Sequence, residues 1–156
     1  MSDPVLHKQL LNARQKYLQE RLPLVVVVVA IPFLVLGYLA INGERALIDA
    51  FNAPETSWGI IFAIGICVTG AASLVPALGA MMALFHAPDG PKLVFWGLLP
   101  LIPLGILFGA GCGGVIVALL VMQAYRVMRA TELLTAHGFP LNRLKHLKDF
   151  PNKTFR

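Results

Sequence analysis

"PLGILFGAGCGGVIVALL", residues 103–120, carries glycine at 105, 109, 111, 113 and 114 inside an otherwise apolar run. It reads either as a turn between two membrane helices or as the close-packing face of one long helix, and the choice sets how often the chain crosses a bilayer. The surrounding block, Leu93 to Val127, has no formal charge until Arg126. As a single helix it would reach about 52 Å against a hydrocarbon core of about 30 Å, whereas two crossings would have about 17 residues each. Length alone does not choose between them.

Charge does. The amino-terminal tail holds Lys8, Arg14, Lys16 and Arg21, and the first linker holds Arg45. The turn "HAPDGPK" holds Lys92, and the carboxyl-terminal tail holds Arg126, Arg129, Arg143, Lys145, Lys148, Lys153 and Arg156. Four crossings put both tails and that turn on the cytoplasmic side, with twelve of the thirteen basic residues inside, while three crossings leave only five inside. The positive-inside bias therefore favours an even number. "GAGCGG" is expected to be a tight outer reversal joining helices of about 92–108 and 113–129. The even-count alternative is a re-entrant hairpin over 93–127. Either requires protein or water around the glycine backbone, because lipid cannot hydrogen-bond to it.

The composition agrees with a membrane protein. The 156 residues are 57% hydrophobic and 13% charged, too apolar for a water-soluble core of this size to hide. The net charge of +5 resides at the two ends and not along the apolar blocks, which points to anionic lipid headgroups and away from nucleic acid. Residues 23–41 follow a long basic region, approach the length of a bilayer span and are followed by no good small-x-small cleavage site. They are expected to be an uncleaved first membrane helix. Cys67 and Cys112 both lie in apolar segments without metal-ligand spacing, and no disulfide between them is expected.

Residues 1–22 place Leu6, Leu10, Ala13 and Tyr17 on one stripe, the pattern of an amphipathic helix lying on the membrane surface or a partner. Pro23 marks the entry to the first span, and "NGERALIDAFNAPETSW" (42–58) reads as a linker with about two helical turns in "RALIDAF". A second span over 58–85 contains Pro76, a natural bend, and ends at "HAPDGPK" with two prolines around Asp-Gly. "WGLLPLIP" (96–103) predicts a broken entry to the third span. After the last span, Gly138-Phe139-Pro140 is a stop signal. Residues 130–156 form a basic cytoplasmic tail in which Leu141, Leu144, Leu147 and Phe150 recur every three residues with Arg143, Lys145 and Lys148 between them. That tail predicts an amphipathic helix on the inner leaflet or docked to a partner.

The fold expected is thus an all-α membrane bundle of four crossings, about 23–41, 58–85, 92–108 and 113–129, with amphipathic helices at both termini. It would sit in a bacterial inner membrane with both ends cytoplasmic. Small residues at four-residue intervals, Gly59, Ala63, Cys67 and Ala71 in the second span and Gly105, Gly109 and Gly113 in the third block, allow close helix approach, either within the bundle or against another membrane protein. The only notable polar groups at depth are Thr69, Ser73 and Gln123, and the two hydroxyls are expected to bond back to their own helix. The histidines at 7, 86, 137 and 146 have no spacing suited to haem or zinc, and no nucleophile, acid and base come together, so neither cofactor nor catalysis is expected. The function that follows is a non-catalytic subunit or assembly factor of a larger membrane complex. The alternative is a homo-oligomeric pore or small transporter built on the glycine-rich and proline-broken helices.

Overall fold

A computed structural model describes residues 4–52, 57–108, 112–147 and 150. Five helices follow one another: α1 (Pro4–Asn52), α2 (Ser57–Leu84), α3 (Gly90–Leu98), α4 (Leu101–Phe108) and α5 (Cys112–Ala136), with no strand among the described residues. Among the described residues three stretches are long and apolar enough to cross a membrane: Pro4–Leu34, Cys67–Leu84 and Gly113–Ala136. This is the make-up of an integral membrane protein.

The first departure from the sequence reading is continuity. The amphipathic segment, the first span and much of the linker form one helix of 49 residues, about 73 Å long, with Pro23 and Pro32 inside it. Each proline removes one backbone donor, and membrane helices tolerate this where neighbours satisfy the freed groups. Gln123 of α5 bonds to the carbonyl beside that of Gln19, the one that Pro23 leaves free. Its Nε2 donates to the carbonyl of Glu20 at 3.2 Å, in the turn that Pro23 interrupts. One face of α1, Leu10, Ala13, Tyr17, Leu24, Val28 and Pro32, is buried along this length.

The helices α2 and α3 form an antiparallel hairpin held by small residues. A Cβ built on Gly97 would lie 2.8 Å from Cδ of Pro76, and one on Gly79 would lie 2.7 Å from the backbone nitrogen of Val94. One on Gly90 would collide with the backbone of Ala83. The hairpin turn begins with His86 at φ 63°, the left-handed position that usually takes glycine. Its N–H donates to Ala83 and that of Ala87 to Met82, so two of the last carbonyls of α2 are satisfied.

The third predicted span is interrupted as "WGLLPLIP" implied. Pro100 and Pro103 supply no amide donors, and the helix stops at Leu98 and restarts at Leu101 through a tight bond from Ile102 N–H to the Leu99 carbonyl, 3.2 Å. At about 13 Å and 12 Å, neither α3 nor α4 alone could cross a hydrocarbon core. Both run antiparallel to α5: Gly105 meets Gly113 and Gly114, Phe95 meets Tyr125, and Lys92 meets Glu132. The segment expected to reverse the chain, 109–111, lies outside the described residues, and with it Gly109.

Helix α5 ends where Gly138 predicted. That glycine has φ 74°, its N–H donates to Thr135, and the N–H of Phe139 donates to Leu134. The tail beyond corrects the expected amphipathic helix, because 141–146 are consecutive turns and not helix. The reason lies in the spacing. An apolar residue every third position rotates steadily around an α-helix of 3.6 residues per turn, whereas it stays on one side of a tighter turn series. Phe139, Leu141 and Leu144 are buried in the same core as Leu10, Ala13, Tyr17 and Leu134. The guanidinium of Arg14 lies 5.0 Å from the ring centre of Phe150 and donates to the carbonyl of Lys145 at 3.4 Å. The two tails cover each other's apolar faces.

Candidate functional site

The residues singled out by sequence fall into separate places. Gly105 and Gly113 are brought together, on opposite arms of the α4–α5 hairpin. A Cβ on Gly105 would lie 3.0 Å from the backbone of Gly113 and Gly114, and one on Gly113 would lie 2.9 Å from the Gly105 carbonyl. Close approach at this pair therefore serves the chain's own packing. Cys67 and Ala71 lie on the exposed side of α2, beside exposed Ile64, Val68, Leu74, Val75 and Leu78. Gly59 and Ala63 belong to α2, but their surroundings lie outside the described residues, as does Lys148 in the tail. Arg143 and Lys145 are exposed.

The hydroxyls at depth follow the expected pattern. Thr69 donates to the Gly65 carbonyl and Ser73 to that of Gly70, each at 2.7 Å, and Ser73 is fully buried. Among the described residues no three His, Cys, Asp or Glu side chains converge.

What sequence reasoning missed is a cleft of about 330 Å³, bordered by polar and cationic side chains, between the amino-terminal third of α1 and the last turns of α5. Gln9, Asn12 and Lys16 line it from one helix, and Tyr125, Arg126 and Arg129 from the other. Ala13, Ala130 and Leu133 form its floor. No acidic residue lines it. The signal was present in principle: Gln9, Asn12 and Lys16 share a face one step from the Leu6–Tyr17 stripe, as Tyr125, Arg126 and Arg129 do on α5. Only the pairing of α1 with α5 makes one site of them.

No protein family model, curated protein or solved structure matches the chain.

The cleft's electrostatics are one-sided. Arg129 donates through Nε to the Tyr125 hydroxyl at 3.1 Å, lies over that ring and pairs with Glu132 at 3.6 Å. Glu132 is shared with Lys92, 3.8 Å away, so its single charge faces two cations. Lys16 and Arg126 have no ion pair or hydrogen bond among the described residues. Glu20, one turn along α1 from Lys16, does not line the cleft, and its Oε2 is buried without a partner. At the same end of the bundle His86 has its pKa lowered, first by burial and then by the charge of Arg21, so neutral imidazole is favoured there.

Proposed function

We propose that the chain is a non-catalytic subunit or assembly factor that sits in a membrane, crosses it four times and packs against another integral membrane protein. The observation that carries this reading is the outward face of α2. Cys67 and Ala71, one turn apart, leave a shallow strip between larger exposed apolar residues, and no helix among the described residues fills it. Small residues on an outer face let a second helix approach closely, which is how helices associate where lipid already solvates apolar side chains. The back-bonded hydroxyls of Thr69 and Ser73 also argue for a structural part over a conducting one.

The four-crossing topology is supported by three placements. The tails contact each other, Lys92 in the first turn of α3 reaches Glu132 near the end of α5, and α3 with α4 together run about 28 Å antiparallel to α5. Together with the charge bias, these placements support a reading in which both termini are cytoplasmic and the membrane is a bacterial inner membrane.

Purification in mild detergent followed by mass spectrometry tests the function. A second membrane protein should accompany the chain and be lost on Ala71→Leu, with the variant still inserted and helical. Isolation of the chain alone in every mild detergent, together with flux from the purified protein in liposomes, would refute the subunit reading in favour of a homo-oligomeric pore.

A further inference from the structure

We propose that the cleft between α1 and α5 is a binding site for the headgroup of an anionic glycerophospholipid, with the phosphate held by Lys16, Arg126 and Arg129. Three cations from two helices converge on an open cavity without an acidic wall, and two of them have no counter-charge among the described residues. Like charges lining one cleft repel one another, and an anion bound among them offsets that repulsion. The volume is at the small end for ligand pockets, suited to a headgroup and not to a folded partner.

Depth identifies the anion as lipid. Tyr125 is half-exposed, in ring contact with Phe95, and Phe95 touches the exposed Trp96, an aromatic cluster of the kind that marks the headgroup level. Arg129 and Lys92 lie one turn beyond this level. On the membrane side, Met122, Leu119 and Val115 continue the face of Tyr125 at helical spacing and are all exposed, a track along which acyl chains can lie. A phosphate at the arginines of the cleft would therefore have its chains in hydrocarbon.

The lining also sets headgroup preference. The Tyr125 hydroxyl accepts from Arg129 and so keeps its own proton to donate, while Gln9 and Asn12 offer neutral donors and acceptors. A headgroup bearing hydroxyls finds partners there. A zwitterionic one brings an ammonium or choline into a cleft lined by three cations, where the neighbouring carboxylate, Glu132, is already shared by Arg129 and Lys92. Phosphatidylglycerol is the expected type of ligand and phosphatidylcholine the expected poor one. The site rests on the membrane placement of the chain and is independent of the partner on α2.

The test uses the full chain in detergent, delipidated and then titrated with phosphatidylglycerol, phosphatidylcholine or inorganic phosphate, with bound lipid counted by native mass spectrometry. Wild type should hold phosphatidylglycerol in preference to phosphatidylcholine, and millimolar phosphate should not displace it. Each of Lys16→Gln and Arg126→Gln should weaken it about fivefold, and the pair on the order of 25-fold. Arg143→Gln with Lys145→Gln, removing two exposed tail cations, should leave binding unchanged. Arg126→Lys retains the charge and serves as the check that loss is not misfolding, alongside helicity by circular dichroism. Equal affinity for the two lipids, displacement by phosphate, or an equal loss from the tail variant would each overturn the proposal.

Discussion

Replacing Gly97 with alanine adds one methyl group at the point where α3 rests on Pro76 of α2. In an unobstructed helix the change would stabilise by about 1 kcal/mol through helix propensity. Here the new Cβ would lie 2.8 Å from both Cδ and N of Pro76 and 3.2 Å from its Cα. Carbon atoms pack at about 3.5–4.0 Å, so α3 must retreat by roughly 1 Å. Pro76 cannot yield by rotating a side chain, because its ring is fused to the α2 backbone. The retreat loosens buried Val94 and Leu98, and overpacking of this kind costs about 1–3 kcal/mol. Net of propensity, Gly97→Ala should destabilise the fold by about 1 kcal/mol. Gly37 supplies the internal control: it lies in α1 with no atom within 4 Å of a built Cβ, so Gly37→Ala should stabilise by up to about 1 kcal/mol. Reversible unfolding in mixed micelles of nonionic detergent and dodecyl sulfate, followed by circular dichroism, measures both. If Gly97→Ala is as stable as wild type, or if the two substitutions shift stability in the same direction, the close-packed α2–α3 hairpin is wrong.

Gly105→Leu should separate α4 from α5 and expose the hairpin to limited proteolysis while leaving the tail contacts intact, because the glycine faces Gly113 and Gly114 of the same chain. Leu144→Ala, at a fully buried position, should cost about 2–5 kcal/mol and release the carboxyl-terminal segment, seen as faster amide exchange of residues 139–147. His86→Gly should stabilise by about 0.5–1 kcal/mol, since φ 63° suits glycine. The same substitution should flatten the pH dependence. With the folded-state pKa of His86 lowered, the unfolded chain binds more protons as pH falls below about 6.5, so wild-type stability should decline in that range and the variant's should not.

Signals that act over a few residues were legible in the sequence. Gly138 before Pro140 placed the end of α5, the prolines at 100 and 103 placed the α3–α4 break, and "HAPDGPK" placed the hairpin turn, since each depends on a local dihedral preference or a missing donor. What covers an exposed stripe was not legible. Leu10, Ala13 and Tyr17 announce a face that must be buried, but nothing local says whether lipid, a partner or Leu144 buries it. The same gap hid the cleft, whose two walls lie more than a hundred residues apart. The small residues show it most clearly. Gly105 and Gly113 fall on the two arms that the reversal at "GAGCGG" implied, but their spacing did not say that they face each other, while Gly79, Gly90 and Gly97, whose spacing gave no signal, form the close α2–α3 contact.

The contact between the tails bears on the number of crossings in a way the charge count does not. Arg14 and Lys145 touch, so residues near both ends lie on one side of any membrane the chain spans, and the crossings between them must be even in number. Among the described residues three helices carry long apolar stretches, an odd count. If all three span, the α3–α4 pair must complete a fourth passage despite its break at Leu99-Pro100. Its position favours this, since Gly97 and Leu98 are buried just before the break and Leu101 just after it, so the protein covers the backbone on either side of the exposed Pro100. Thiol labelling of single cysteines in a background free of Cys67 and Cys112 decides the matter. Positions 12 and 145 should react only from the cytoplasmic side and position 52 only from outside. External reaction at 145 in a chain whose tails still contact each other would require 12 to be external as well. External labelling at 145 with cytoplasmic labelling at 12 would refute both the four-crossing topology and the tail contact on which it rests.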